Sequence, residues 1–342
     1  MKFLIIPIIL LTACSKPVQE TFRLQPKIVT ESVSSDSDDP AIWYNKNNPE
    51  QSLILGTDKG KENGGLYVFN LNGKIDRKRS ITGLKRPNNV DIEYGFNYQG
   101  KLIDIAVVTE RNRDMIRVFS LPEMTALDNG GIPVFVSDSN RSPMGIALYT
   151  DGSDIYAFVS RKTGKSGSYI WQYLLSDSDG QVIGHNVRRF GEFSGKNEIE
   201  SIAVDDSSGV VFYSDEGYGV RAYWAASDAA NEQLMEFATN GFTADHEGIS
   251  IYPTDRLNGY ILVSDQQANS FHVFNRSNPR EELAILPVST NESDGSDSFS
   301  GYLNAQFPNG IFVAMSDNKT FQIYDWRDIE AFISKQQASK QQ

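Results

Sequence analysis

The chain reads as an all-β protein, a six-bladed β-propeller of four-stranded antiparallel blades. Three observations predict it. A tripeptide recurs after an apolar run six times, about 52 residues apart, within the range of propeller and solenoid repeats. The segments between show period-2 alternation broken by Gly, Asp and Asn turns, which is the strand signature. Four such strands fit in each repeat, and four strands per unit make a propeller blade.

The tripeptides are Thr57-Asp58-Lys59, Thr109-Glu110-Arg111, Ser160-Arg161-Lys162, Ser214-Asp215-Glu216, Ser264-Asp265-Gln266 and Ser316-Asp317-Asn318. Each follows an apolar strand, such as Leu53 to Gly56 or Ile103 to Val108. An opening strand precedes it in the first five repeats: Pro40 to Trp43, Val90 to Tyr94, Gly145 to Tyr149, Ser201 to Val204 and Gly248 to Tyr252. A third strand follows, as in Gly65 to Asn70, Met115 to Phe119 and Ser270 to Phe274, and a less regular outer strand completes the unit. Asn72-Gly73 marks a hairpin turn.

The sixth repeat has no clear opening strand before Tyr302 and little chain after its third strand. Strand exchange is expected there, with Phe22 to Thr30 completing the last blade and removing an exposed edge. Trp326 to Ser334 reads as a short helix, and the polar Lys335 to Gln342 as a mobile tail. The domain layout is thus a leader over 1–13, a tether over 14–20, the propeller over 21–334 and the tail over 335–342.

The leader carries Lys2, a short apolar run and Leu11-Thr12-Ala13-Cys14, which resembles a bacterial lipoprotein cleavage box. Cys14 is then the lipidated N-terminus; the other reading is an ordinary secretory signal with an incidental cysteine. Cys14 is the single cysteine of the 342 residues, which excludes disulfides and thiolate metal sites. Ser15 follows it rather than Asp, so the expected address is the outer membrane, on either face, with membrane contact through the lipid anchor alone. The net charge of −12 disfavours non-specific binding to nucleic acid or anionic lipid. Nothing in the charge pattern signals oligomers, and a monomer is the default.

Closing the ring brings the six tripeptides to one end of the channel. Their third members are cationic in three repeats, then acidic or amide in three. The residues before the opening strands form a second ring: Asp38-Asp39, Asn88-Asn89, Pro143-Met144, Glu198 with Glu200, and Asp245 with Glu247. One sector is oxygen-rich, with Asp38, Asp39, Glu200, Glu216, Asp245, Glu247, Asp265 and Gln266, and such oxygens suit a hard cation like calcium. The other holds Lys59, Arg111, Arg161 and Lys162, which suit phosphate oxygens. His185, His246 and His272 are scattered without an HExxH pair, which disfavours zinc or iron. His272 alternates within a strand and reads as structural; His246 stands between two acids as a possible ligand neighbour. No glycine-rich phosphate loop, GxSxG or Ser-His-Asp arrangement is present.

Several segments together resemble the β-propeller phytase family. Asp38-Asp39-Pro40-Ala41-Ile42-Trp43 is similar to its opening motif, and Thr57-Asp58-Lys59 with Gly65 to Phe69 to its lysine-bearing strand end. Asn88 to Ile92 matches its paired-asparagine motif. Asp245 to Tyr252 and Gly259 to Gln266 resemble its acid-x-glutamate-glycine and glutamine-bearing segments. The resemblance spans about residues 25 to 330.

It implies a calcium-dependent hydrolase of phytate, acting by direct attack of metal-bound water, with several calcium ions. It puts calcium ligands on Asp38, Asp39, Glu200, Glu216, Asp245, Glu247 and Gln266, and phosphate binding on Lys59, Arg111 and Lys162. Lys59, Arg111, Lys162 and Glu216 are then the catalytic set. The loop Glu292 to Asp297 resembles a calcium-binding loop and adds Asp294 and Asp297. Met144, Glu93 and Ser201 depart from the pattern, standing where a tyrosine, an arginine and a glycine are usual. Two alternatives stay open: another propeller phosphoesterase or lactonase, or a non-catalytic, calcium-stabilised binding propeller.

Overall fold

In the computed structural model, which describes residues 22–340, six four-stranded antiparallel sheets stand around a central channel. Blade one comprises Ser37–Trp43, Leu53–Asp58, Gly64–Asn70 and Ile81–Leu84, from channel to rim. Blade two is Pro87–Tyr98, Lys101–Glu110, Met115–Leu121 and Ile132–Pro133; blade three is Pro143–Asp151, Asp154–Arg161, Ile170–Ser178 and Gln181–Phe190. Blade four is Ile202–Asp205, Val210–Asp215, Gly219–Trp224 and Met235–Phe237; blade five is His246–Pro253, Gly259–Asp265, Ser270–Asn275 and Asn278–Pro287. Blade six takes Ser296–Phe299, Ile311–Ser316 and Thr320–Asp325, and borrows Ile28–Val29 as its rim strand. The leader, Cys14 and the tether lie outside the described residues. No helix among the described residues is long and apolar enough to cross a membrane.

The second strand of each blade is apolar on both faces because neighbouring blades cover both. Ile54 and Leu55, Ala106 to Val108, Ala157 to Val159 and Ile261 to Val263 are fully buried. The core divides into six clusters, one per seam between blades. The seam between blades six and one includes Phe321, whose ring lies where a side chain on Gly56 would go, 2.3 Å from an added Cβ. Strand exchange occurs as expected: Ile28 pairs with Ile323, and Val29 with Gln322.

Two expectations need correction. Blade six does have an inner strand, Ser296–Phe299, which begins at the end of the Glu292 to Asp297 loop. It is short and polar because it lines the channel, where Ser296 Oγ meets Ser250 Oγ at 2.7 Å. The helix runs from Trp326 to Lys340, past Ser334 and into the expected tail. Its apolar residues Trp326, Ile329 and Ile333 enter the seam between blades five and six, and Lys340 Nζ reaches the carbonyls of Glu282 and Leu283. The last turns are thus tied to blade five despite their polar sequence.

The recurring tripeptide has a structural logic. In repeats two to five its first residue stitches its blade to the next: Thr109 Oγ1 donates to Met144 O at 2.7 Å, Ser160 Oγ to Ile199 O at 2.6 Å, Ser214 Oγ to Glu247 O at 2.8 Å and Ser264 Oγ to Ser293 O at 2.7 Å. Ser37 Oγ closes the circle by donating to Ser316 O at 2.9 Å. The second residue ties down the entering loop. Asp58 accepts Ser35 N and Asp36 N, Glu110 accepts Lys85 N, Asp215 accepts Ser194 N, and Asp265 accepts Thr243 N. In the first five repeats only the third residue is left for chemistry.

Candidate active site

Inner strands start, and second strands end, at the same end of the channel, so both rings of the sequence meet there. Lys59 Nζ lies 2.8 Å from Asp38 Oδ1 and 2.6 Å from Asp294 Oδ2. Asn88 Nδ2 donates to Asp38 Oδ2 at 3.2 Å and to Glu200 Oε1 at 2.9 Å. Gln266 Nε2 donates to Asp294 Oδ1. Glu198, Glu200 and Glu216 each offer an oxygen within 4.8 Å of the others. Lys162 Nζ lies 2.8 Å from both oxygens of Glu198. Asp245 is held at the edge by Asn197 Nδ2 at 2.6 Å and Gln267 Nε2 at 2.8 Å.

The electrostatics are those of a crowded, dehydrated carboxylate wall. Burial, then Glu200, Glu198 and Asp245, push the Glu216 carboxyl up to about 9. Burial, then Glu216 and Glu200, raise Glu247 well above the carboxylate range. Burial raises Asp38 against the pull of Lys59, and Glu200 and Asp294 raise it further. Burial and Asp294 raise Glu200. Lys59 stays fully charged, because Asp38, Asp294 and Glu200 outweigh its own dehydration. Arg111 is 7% exposed, and burial followed by the charge of Arg86 lowers it.

Several expected residues lie elsewhere. Arg161 is 2% exposed, with its guanidinium 4.9 Å from the Phe135 ring centre and 5.7 Å from that of Trp171. It donates to Asp138 Oδ2 at 2.5 Å and to the carbonyls of Asn140 and Ser168, filling the loop-tying role of the second tripeptide position rather than bonding to the ring carboxylates. Asp39 and Asp297 line the channel below the ring, in a cavity of about 120 Å³ with Asp91. Asp39 Oδ2 accepts Val90 N and Asp297 Oδ2 accepts Ile42 N, so each carboxylate joins neighbouring blades. Successive strand residues point to opposite sides, which is why Asp38 joins the ring and Asp39 does not. Asp265 is buried on Thr243 and His272 and is not ring-facing.

His272 is structural, meeting Glu282 and stacking on Phe242 at 3.9 Å; His246 stacks on the other side of that ring at 4.0 Å and bonds Ala238 O rather than joining the carboxylates. Met144 is buried, with its carbonyl taken by Thr109. Glu93 lies on blade two's inner strand and bonds Tyr94 N, its carboxyl raised by burial and by Asp104. Ser201 Oγ accepts Ile249 N at 2.9 Å, an inter-blade bond that glycine could not make.

The donors fit a hard cation. Glu216 Oε1 and Glu247 Oε2 are buried without a hydrogen-bond partner, an arrangement that is costly unless a cation completes it. The sequence reading named no site role for Arg86 and grouped Glu198 with the ring without assigning it a ligand. Their position before an opening strand is the signal that both share with Asp38.

A family model described as Phytase matches residues 3–337. The 3-phytase of Bacillus subtilis (strain 168) is 28% identical over 341 aligned residues, covering 92% of this chain and 86% of that protein. Among solved structures, a gluconolactonase from Xanthomonas campestris superposes with a TM-score of 0.54 at 13% identity, covering 86% of this chain and 87% of that one. That likeness is one of fold.

Proposed function

The chain belongs to the phytase family and is a phosphoric monoester hydrolase, and from that premise we propose that it removes phosphate from phytate, myo-inositol hexakisphosphate, in a calcium-dependent reaction at this end of the channel. The observation that carries the reading is the convergence of Lys59, Arg111 and Lys162 on a carboxylate wall with orphaned buried oxygens. Asp38, Glu200, Glu216, Asp245, Glu247, Gln266 and Asp294 would hold the calcium ions, with Glu198 beside them. Bound calcium would neutralise this wall, polarise a phosphoryl oxygen and lower the pKa of water.

The chain's own residues do the rest. Arg111, which has no carboxylate within 4.0 Å among the described residues, offers its guanidinium fork to a phosphoryl group. Lys59 and Lys162 are now paired with acids and become available as those acids turn to calcium. Among the described residues no serine, cysteine or histidine joins the carboxylates and cations of the ring, and the proposed displacement is direct, by water, without a covalent enzyme intermediate. Export as a lipoprotein anchored by Cys14 in the outer membrane, acting as a monomer, completes the proposal.

Phosphate release from calcium phytate by wild type, Lys59→Ala and Glu216→Ala tests it. Both variants should lose at least tenfold in kcat/KM, about 1.4 kcal/mol each. Retained activity in both removes the proposed roles.

A further inference from the structure

Besides Lys59, Arg111 and Lys162, the three of the four expected cations that reach this end of the channel, there is Arg86, on the loop between the rim strand of blade one and the inner strand of blade two. Its backbone is clamped between two of the tripeptide ends. Arg86 N donates to Gly60 O, next to Lys59, at 3.1 Å; Arg111 N donates to Arg86 O at 3.1 Å; Asn112 N donates to Lys85 O at 3.1 Å. Arg86 therefore bridges the residues that carry Lys59 and Arg111. It does so with φ 56, a left-handed conformation that a branched or bulky residue adopts only when its surroundings impose it.

Arg86 Nε is buried without a hydrogen-bond partner. Among the described residues, neither Arg86 nor Arg111 meets a carboxylate within 4.0 Å, whereas Lys59 and Lys162 both do. Burial first, and then the charge of Arg86, lower the Arg111 guanidinium. A buried, partnerless Arg86 Nε on a residue whose carbonyl is bonded by the Arg111 backbone, in a chain carrying 44 acidic residues, is an arrangement that an anion held by both side chains would complete. A phosphoryl group carries the charge and the oxygen lone pairs to accept from both forks.

We propose that Arg86 is a substrate-binding residue that pairs with Arg111 to grip one phosphoryl group from two sides, between the ends of blades one and two. The inference rests on the function proposed above and adds to it the residue that fills the place expected of Arg161.

The test uses the full chain with calcium and inorganic phosphate as the probe, read by calorimetry, alongside phytate kinetics. Arg86→Gln should weaken phosphate binding about tenfold and raise KM for phytate more than it lowers kcat. Arg86→Lys keeps the charge but not the fork and should fall between, and it carries the test if the glutamine variant does not fold. Lys101→Gln, at the far end of blade two, should leave both readouts unchanged. If wild type releases phosphate from phytate while the Arg86 variants bind phosphate as wild type does, the role of Arg86 is overturned and the function stands. If wild type neither binds phosphate nor releases it, both are overturned.

Discussion

Lys59 and Asp294 lie 235 residues apart in the chain and 2.6 Å apart in space. Blade one supplies the ammonium, and the loop entering blade six supplies the carboxylate. The contact exists only because the ring closes. It also places a lysine among carboxylates that would otherwise repel one another, the task a calcium ion would take over.

Removing that lysine should therefore expose the repulsion. Asp38 is 1% exposed, and Lys59→Ala leaves it buried without its cation, a loss of about 3 kcal/mol for a pair of this kind. Thermal unfolding in chelator should show a lowered Tm, and added calcium should restore much of it. An unchanged Tm in chelator would mean that the pair carries little stability.

The raised carboxyls give the metal-free protein a definite pH dependence. Glu216, ordinarily near 4.5, is pushed up to about 9 by burial and then by Glu200, Glu198 and Asp245. Between these values the folded chain holds a proton that the unfolded chain has released, so stability falls as pH rises through that window. Cation binding must expel the proton, so calcium affinity should rise from pH 6 to pH 9 with measurable proton release. Calorimetry in buffers of different ionisation enthalpy measures both, and affinity independent of pH would contradict the burial of these groups as acids.

Neighbouring residues in the third tripeptide should behave oppositely. Arg161→Ala removes a buried guanidinium with three hydrogen-bond partners and two aromatic neighbours, and should cost about 2–4 kcal/mol of stability with KM little changed. Lys162→Ala should leave stability nearly intact, because its side chain is 48% exposed, and raise KM. Unfolding and kinetics on the two variants separate the roles.

The hydroxyl stitches are separately measurable. Ser214→Ala leaves Glu247 O without its donor and should destabilise by about 1–2 kcal/mol. Because that carbonyl belongs to a proposed ligand, calcium affinity should fall as well. Denaturant unfolding and calcium titration on one sample check both.

The fold was legible because the repeat writes itself in residue type: a hydroxyl to stitch blades, an acid to hold a loop and a third residue free to vary. The same regularity misled at Arg161, where an arginine occupies the loop-tying position and its charge looks catalytic in sequence. Asp38 and Asp39 could not be separated by composition; strand alternation sends one to the ring and the other to the channel. Ser296–Phe299 escaped notice because a channel-lining strand needs no apolar face. Arg86 was hidden for another reason: its role depends on a left-handed turn and two inter-loop hydrogen bonds, and neither leaves a mark on residue type.

The most direct measurement is the initial rate of phosphate release from phytate by chelator-stripped protein as calcium is returned. The rate should be negligible without calcium and should rise to a plateau as calcium is added, with Glu216→Gln needing more calcium to reach it. Full activity in chelator, or identical calcium dependence in wild type and Glu216→Gln, would contradict a reaction built on this carboxylate wall.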